Sequence, residues 1–321
     1  MSNFALLTAI AGLGSAGLYL AGVTGSPSAA MLSNLAPLPL FMAGFGLAPL
    51  AAGLAALLAA AVVGLTPLLL NADGPSRPSD GLVFLALTGV APYLLSRWAL
   101  LTRPGGDGKT EWYPPGLLLV RLGAIAAVLL LAGAVFFAGH DGGLTGAVRQ
   151  ALDSFAGHIR ETPDNKALIE AYRQAIPRLA PAMPAILTLV WLTFMVINGA
   201  LGQGLLVRSG HNLRPSPQFR KLALPTELAW ITGVMLIASW LPGNTGTVAM
   251  ALAAIGLFAY FLLGLSVVHA FAARSPGRRG LLALFYLALV MLAWPAMLIA
   301  ILGLLQQWTG LRERLESKAE G

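Results

Sequence analysis

Runs of about twenty apolar residues recur along this chain, and each matches the length a helix needs to cross the hydrocarbon of a bilayer. They lie near 4–23, 32–48, 49–71, 81–101, 117–138, 183–207, 226–241, 247–272 and 281–305. The second and seventh are short; the ninth is long, and Pro295 inside it is a place to kink. No soluble globule hides this much apolar surface behind a polar shell: 57% of the 321 residues are apolar and 10% are charged, against about 25% charged in a soluble domain. The mean hydropathy is +0.77. The expected fold is an all-α polytopic transmembrane helix bundle of about eight to nine membrane helices.

The N-terminal MSNFALLTAIAGLGSAGLYLAGV lacks a basic n-region and is too long for the apolar core of a signal peptide, so it reads as the first membrane helix. Cysteine is absent, which excludes disulfides and thiolate metal sites. The net charge of +7 does not point to nucleic acid, because the basic residues sit in short loops between apolar runs. Arg97, Arg103, Lys109 and Arg121 flank the 102–116 loop; Arg208, Arg214, Arg220 and Lys221 lie in the 208–224 loop, and Arg274, Arg278 and Arg279 in the 274–280 loop. Loops of the opposite parity, near 24–31, 72–80 and 242–246, hold only Arg77. The positive-inside rule then places the first group, and the N-terminus, in the cytoplasm. Nine helices would leave the tail outside with Arg312, Arg314 and Lys318, against that rule.

Residues 139–182 differ from the rest. Val148, Leu152, Phe155 and Ile159 recur at helical spacing with Arg149, Asp153 and Arg160 between them. After Thr162-Pro163, Leu168, Tyr172, Ile176 and Leu179 repeat the pattern. This is an amphipathic helical hairpin outside the membrane, a cap on the bundle or a lid over a substrate site.

Gly12-Leu-Gly-Ser-Ala-Gly17 has the letters of a dinucleotide motif but sits inside a membrane run, and the first acidic residue is Asp73, so that reading fails. Ala5, Ala9, Gly12 and Ala16 instead form one smooth helix face, for packing within the protein or for docking another subunit. The thirteen acidic residues lie in loops, tails or helix ends, with Glu227 the nearest to a span interior. No HExxH, GxSxG or P-loop is present, and His140, His158, His211 and His269 lack ligand spacing. The expectation is therefore no catalysis, no metal and no cofactor.

Milder polarity remains. Asn198 and Gln203 lie in the sixth run, and Tyr93 follows Pro92 in the fourth. Asn34 opens NLAPLPLFMAGFGLAPLAAG, a charge-free stretch whose Pro37 and Pro39 fall early in the second run. A proline-interrupted segment is tolerated in a membrane only where protein or a cavity covers its backbone. Asn34, Pro37, Pro39, Tyr93, Asn198 and Gln203 are thus candidates for lining a ligand cavity, with hydrogen bonding between helices as the alternative. In RPSPQFRKLALPTELAW, two X-Pro steps hold the loop extended, and Arg214, Arg220 and Lys221 are candidates for contact with anionic lipid or a cytoplasmic partner.

The order of a small-residue first helix, PLPLFMAGFGL, AAGLAALLAAAVVGL and FLALTGVAPYLLSRW resembles the YybS-like family of predicted bacterial membrane proteins. RPSPQFRKLALPTELAW and the terminal LGLLQQWTGLRERL extend the resemblance over nearly the whole chain. It implies a relation to the substrate-binding subunits of energy-coupling-factor transporters, which have about six helices and bind a vitamin-like molecule from outside. Such subunits depend on a coupling membrane subunit and an ATPase, for which Ala5, Ala9, Gly12 and Ala16 would be the docking face. On this reading, residues 1–208, including the hairpin at 139–182, form the transporter-like core. Residues 209–225 are a basic cytoplasmic loop, 226–310 additional membrane helices and 311–321 a polar tail. The alternative function is a membrane scaffold or assembly factor acting through the basic loop. The excess of Ala, Leu and Gly, with Arg over Lys, points to a high-GC bacterium and hence to its inner membrane.

Overall fold

The structure, a computed structural model, describes residues 2–22, 26–69, 78–106, 108–159, 162, 165–219, 222–292 and 294–311. The chain divides into two compact units: Met1–Leu122 with Thr193–Gln218, and Gly123–Leu192 with Phe219–Gly321. Among the described residues, seven helices are long and apolar enough to cross a membrane, at Asn3–Ala21, Pro27–Gly46, Pro49–Thr66, Pro78–Ala99, Pro115–Phe136, Met183–Ser209 and Gly243–Ala272. They coincide with seven of the expected runs. The all-α polytopic bundle is the observed fold.

The first unit contains α1 (Ser2–Ala21), α2 (Pro27–Ser33), α3 (Pro37–Gly46), α4 (Pro49–Leu69), α5 (Pro78–Phe84) and α6 (Val90–Ala99). The helix α4 is its centre, packed by α1, α3, α5 and α6. Ala51, Ala52, Ala55, Ala56 and Ala59 are buried along it. Hydrophobic expulsion from water does not drive association inside a bilayer, so close approach of small residues has to supply dispersion contacts. At Gly12 of α1, a Cβ would lie 2.8 Å from the Ala55 carbonyl oxygen. Between α5 and α6, residues Leu85–Gly89 form a π-helical turn in which the Val90 N–H donates to the Leu85 carbonyl. Pro92 follows, with no N–H to bond the Thr88 carbonyl, and the widened turn absorbs that missing donor.

The 102–116 loop contains a two-stranded antiparallel ribbon, β1 (Thr102–Pro104) with β2 (Thr110–Trp112). Its middle pair, Arg103 and Glu111, is joined by an exposed ion pair of 2.6 Å. The helix α7 (Pro115–Phe136) begins in the first unit and continues in the second.

The second unit adds α8 (Gly143–His158) and α9 (Lys166–Leu179), the expected amphipathic hairpin. Phe155 and Tyr172 meet edge to face across it at 6.4 Å. Arg160 and Pro163, part of the expected break, lie outside the described residues. After the hairpin, α10 (Met183–Ser209) starts in this unit and ends in the first. The remaining elements are α11 (Glu227–Ala238), α12 (Gly243–Ala272), α13 (Arg278–Leu292) and α14 (Pro295–Thr309). Asn244, in the first turn of α12, caps α8: its Oδ1 accepts the Thr145 N–H at 3.0 Å and its Nδ2 donates to the Gly142 carbonyl at 2.9 Å.

The helix α12 is the axis of this unit, with α11 and α14 against it. Gly256 faces Thr232, Gly264 faces Ile299, and Gly303 sits against the Tyr260 carbonyl. Since 264 pairs with 299 and 260 with 303, α14 runs antiparallel to α12. The run at 281–305 breaks next to Pro295, the expected place to kink. It divides into α13 and α14, joined through a bend of 119°. Pro295 opens α14, where its missing N–H is harmless, but in a continuous helix it would break the preceding turn. The expected seventh run also departs from a full span, since α11 has only 12 residues.

Candidate functional site in the broken second span

The second membrane run is interrupted at residues 34–36, between α2 and α3. Pro37 has no N–H to return to the Ser33 carbonyl, which instead takes the Ala36 N–H at 3.1 Å. Leu38 likewise bonds Leu35, at 2.9 Å. Carbonyls at such a break need donors from elsewhere, because hydrocarbon offers none. Asn198 Nδ2, from α10, donates to the Asn34 carbonyl at 2.9 Å, and Ser15 Oγ, from α1, donates to the Ala36 carbonyl at 2.6 Å. Both side chains are fully buried.

Asn198 Nδ2 also donates to the Phe194 carbonyl at 2.7 Å, while its Oδ1 is buried without a hydrogen-bond partner among the described residues. The Asn34 side chain turns back on its own helix, donating to the Ala30 carbonyl at 3.0 Å. Pro37 is buried, and Pro39 is half-buried, its Cγ 3.9 Å from the Cβ position of Gly14. Phe41 stacks on Phe45 at 5.6 Å and lies along the glycine side of α10, 3.4 Å from the Cβ position of Gly202. The structure therefore brings Asn34, Pro37 and Asn198 together at one break.

Gln203 belongs to a second polar centre, where α10 leaves the bundle. Gln203 Nε2 and Asn212 Nδ2 each donate to the Arg214 carbonyl at 2.8 Å. The Arg214 guanidinium donates to the Ala99 carbonyl, at the end of α6, at 2.7 Å and lies 5.6 Å from the centre of the Trp112 ring. A cation at a helix C-terminus is favourably placed against the dipole. Burial lowers the pKa of this guanidinium below its ordinary value. Arg214 is 5% exposed, so its guanidinium serves the fold of this unit rather than an open surface. Arg220 and Lys221 lie outside the described residues. Tyr93 is half-buried and packs on Gly53 of α4, its ring 3.1 Å from the Cβ position there.

Along the small-residue face of α1, Gly12 and Ala16 are buried against the interior, Ala9 is half-buried and Ala5 is exposed. Ser15 was not among the sequence candidates, although it lies beside Ala16 on the inner side of α1. Ser96, also fully buried, donates to the Tyr93 carbonyl at 2.9 Å. Serines of this kind look like small packing residues in sequence, and hydropathy gives no sign of their partners. Among the described residues, no group of three or more His, Cys, Asp or Glu side chains is placed to hold a metal ion.

Residues 108–305 match the family of predicted membrane proteins designated DUF2232. The chain belongs to that family. The match covers more than half of this DUF2232 member, from the ribbon into α14. No curated protein and no solved structure matches.

Proposed function

We propose that this chain is a non-catalytic subunit of the bacterial inner membrane that binds a small, vitamin-like organic solute for uptake. The observation that carries this reading is the interrupted second span, whose Asn34 and Ala36 carbonyls are bonded by Asn198 and Ser15. Discontinuous helices at membrane depth are characteristic of solute sites in transporters, and irregular backbone there has to be covered by protein or line a cavity. Of the spans, only Pro78–Ala99 contains an acidic residue, Asp80, exposed in its first turn. Proton- or sodium-driven carriers rely on buried carboxylates, so this reading assigns the energy source to a partner ATPase through a coupling membrane subunit. The YybS-like resemblance points the same way, and the basic loops favour a cytoplasmic N-terminus.

The test is twofold. Purified protein should show a thermal shift with at least one member of a vitamin panel, and Asn198→Ala should diminish it. Affinity purification from the native membrane should recover an ATPase and a second membrane subunit. Absence of both sinks the proposal.

The scaffold reading retains one supporting observation, the exposed stretch 215–219. Crosslinking from those positions to a cytoplasmic protein, without solute binding, would favour it.

A further inference from the structure

One boundary of the membrane is reached where α6 ends and α7 begins, with the ribbon between them. At 22 residues, α7 is about 33 Å long, little more than a hydrocarbon layer of about 30 Å. Arg121 follows the first residue of α7 by six, so its backbone lies about 9 Å inside that end. Residues 122–139 carry no charge. Arg121 is thus the last charge before the hydrocarbon, at a depth from which a long side chain reaches the headgroups.

Its guanidinium is exposed but held in place. The central carbon lies 5.2 Å from the centre of the half-buried Trp98 ring, in the last turn of α6. Nε donates to the Tyr113 hydroxyl at 3.4 Å. Tyr113 is in turn fixed at the foot of the ribbon, its N–H donating to the Leu101 carbonyl at 3.0 Å. These contacts use one face of the guanidinium and its Nε. The Nη1 and Nη2 groups have no hydrogen-bond partner among the described residues. The Tyr113 oxygen accepts from Nε, which leaves its own O–H to donate. Among the described residues no carboxylate pairs with Arg121, and Glu111 of the ribbon is bonded to Arg103. Several donors therefore converge at headgroup level without an acceptor, framed by two aromatic rings of the kind that favour this boundary.

We propose that Arg121 and Tyr113 bind the phosphate of an anionic phospholipid. The Nη1 and Nη2 groups offer the two parallel N–H bonds that suit a phosphate, and the Tyr113 hydroxyl offers a third. A net negative headgroup is preferred over a zwitterionic one because Arg97, exposed in the last turn of α6, adds a second positive charge at the same boundary. The proposal goes beyond the solute-binding reading and does not depend on it.

The test gives full-length protein in detergent equal amounts of phosphatidylglycerol and phosphatidylethanolamine, and reads the retained lipid by native mass spectrometry. The parent should favour phosphatidylglycerol, and Arg121→Gln should lower that preference about fivefold. Tyr113→Phe removes a neutral donor, so it should lower retention of both lipids about threefold without changing the preference. Arg121→Lys keeps the charge without the two-pronged edge, and should restore only part of the retention. Arg149→Gln, an exposed charge on the hairpin, should change nothing. Unchanged preference in Arg121→Gln, or an equal fall in Arg149→Gln, would overturn the site. A second arm separates lipid from soluble anion. Phosphatidylglycerol should raise the thermal midpoint of the parent but not of Arg121→Gln, and inorganic phosphate should raise neither. An equal rise with inorganic phosphate would overturn the lipid in favour of a soluble anion.

Discussion

Removing the Arg214 guanidinium should destabilise the protein by roughly 2 kcal/mol. The charged donor to the Ala99 carbonyl, at 2.7 Å, contributes about 1.5–3 kcal/mol. The Trp112 ring, 5.6 Å from the guanidinium carbon, adds about 0.5–1 kcal/mol. The approach to the Tyr113 carbonyl, at 3.5 Å, is too long to add much. Against these gains stands a buried Nε without a hydrogen-bond partner among the described residues, whose desolvation costs about 1 kcal/mol or more and is relieved by the substitution. Arg214→Ala should therefore lose roughly 2 kcal/mol, read as a lower midpoint in sodium dodecyl sulfate titration of dodecylmaltoside-solubilised protein, followed by helical circular dichroism. Arg214→Lys keeps the charge but not the planar fork, and should recover about half of the loss. Gln203 bonds the backbone of residue 214, so the two residues share one network, and the Gln203→Ala/Arg214→Ala double variant should depart from the sum of the single losses by more than about 0.5 kcal/mol. Stability of Arg214→Ala within about 0.5 kcal/mol of the parent would refute the assignment of this side chain as a clamp. So would full rescue by lysine.

Three further outcomes are expected. Ser15→Ala and Asn198→Ala should each cost about 1 kcal/mol in the same titration, since each removes one buried bond to the break; no loss from either would show that the break stands without them. Gly303→Ala places a Cβ against the Tyr260 carbonyl and the Gly264 N–H, and should cost about 1–3 kcal/mol by forcing α14 off α12; a wild-type midpoint would mean that the two helices are not in close contact. Asn244→Ala removes the cap on α8 and should raise amide exchange across 143–158 by about 1 kcal/mol of local opening, with α4 unchanged; equal protection in both proteins would argue against the cap.

The seven spans are legible because length and absence of charge suffice to define a membrane helix. Pro295 marks the place where the last run bends, but hydropathy does not encode the angle, which is 119° between α13 and α14. The break at Pro37 is visible as two prolines in an apolar run, but its partners are not. Asn198 stands out only as a polar residue in a span, and Ser15 not at all, because a hydroxyl among Gly and Ala looks like packing. Arg214 misleads in the opposite direction. Basic residues between spans usually face water, and nothing in RPSPQF reveals that Gln203 and Asn212 draw its carbonyl inward while the end of α6 draws its guanidinium. Trp112, which supports that guanidinium, lies in a ribbon too short to register as strands.

The two side-chain bonds to the break in the second span become available at very different moments of synthesis. Ser15 and Ala36 are 21 residues apart, and both have left the ribosome before the third span begins. Asn198 is separated from Asn34 by 164 residues, on the order of 10–30 s of translation at 5–20 residues per second. For that interval the Asn34 carbonyl has to be satisfied by water at the insertion site or by a headgroup, not by its final partner. The second span is consequently an early helix with a late joint. The joint is completed only when α10 arrives, and a chain stopped short of residue 198 should leave the Asn34 carbonyl without its side-chain donor.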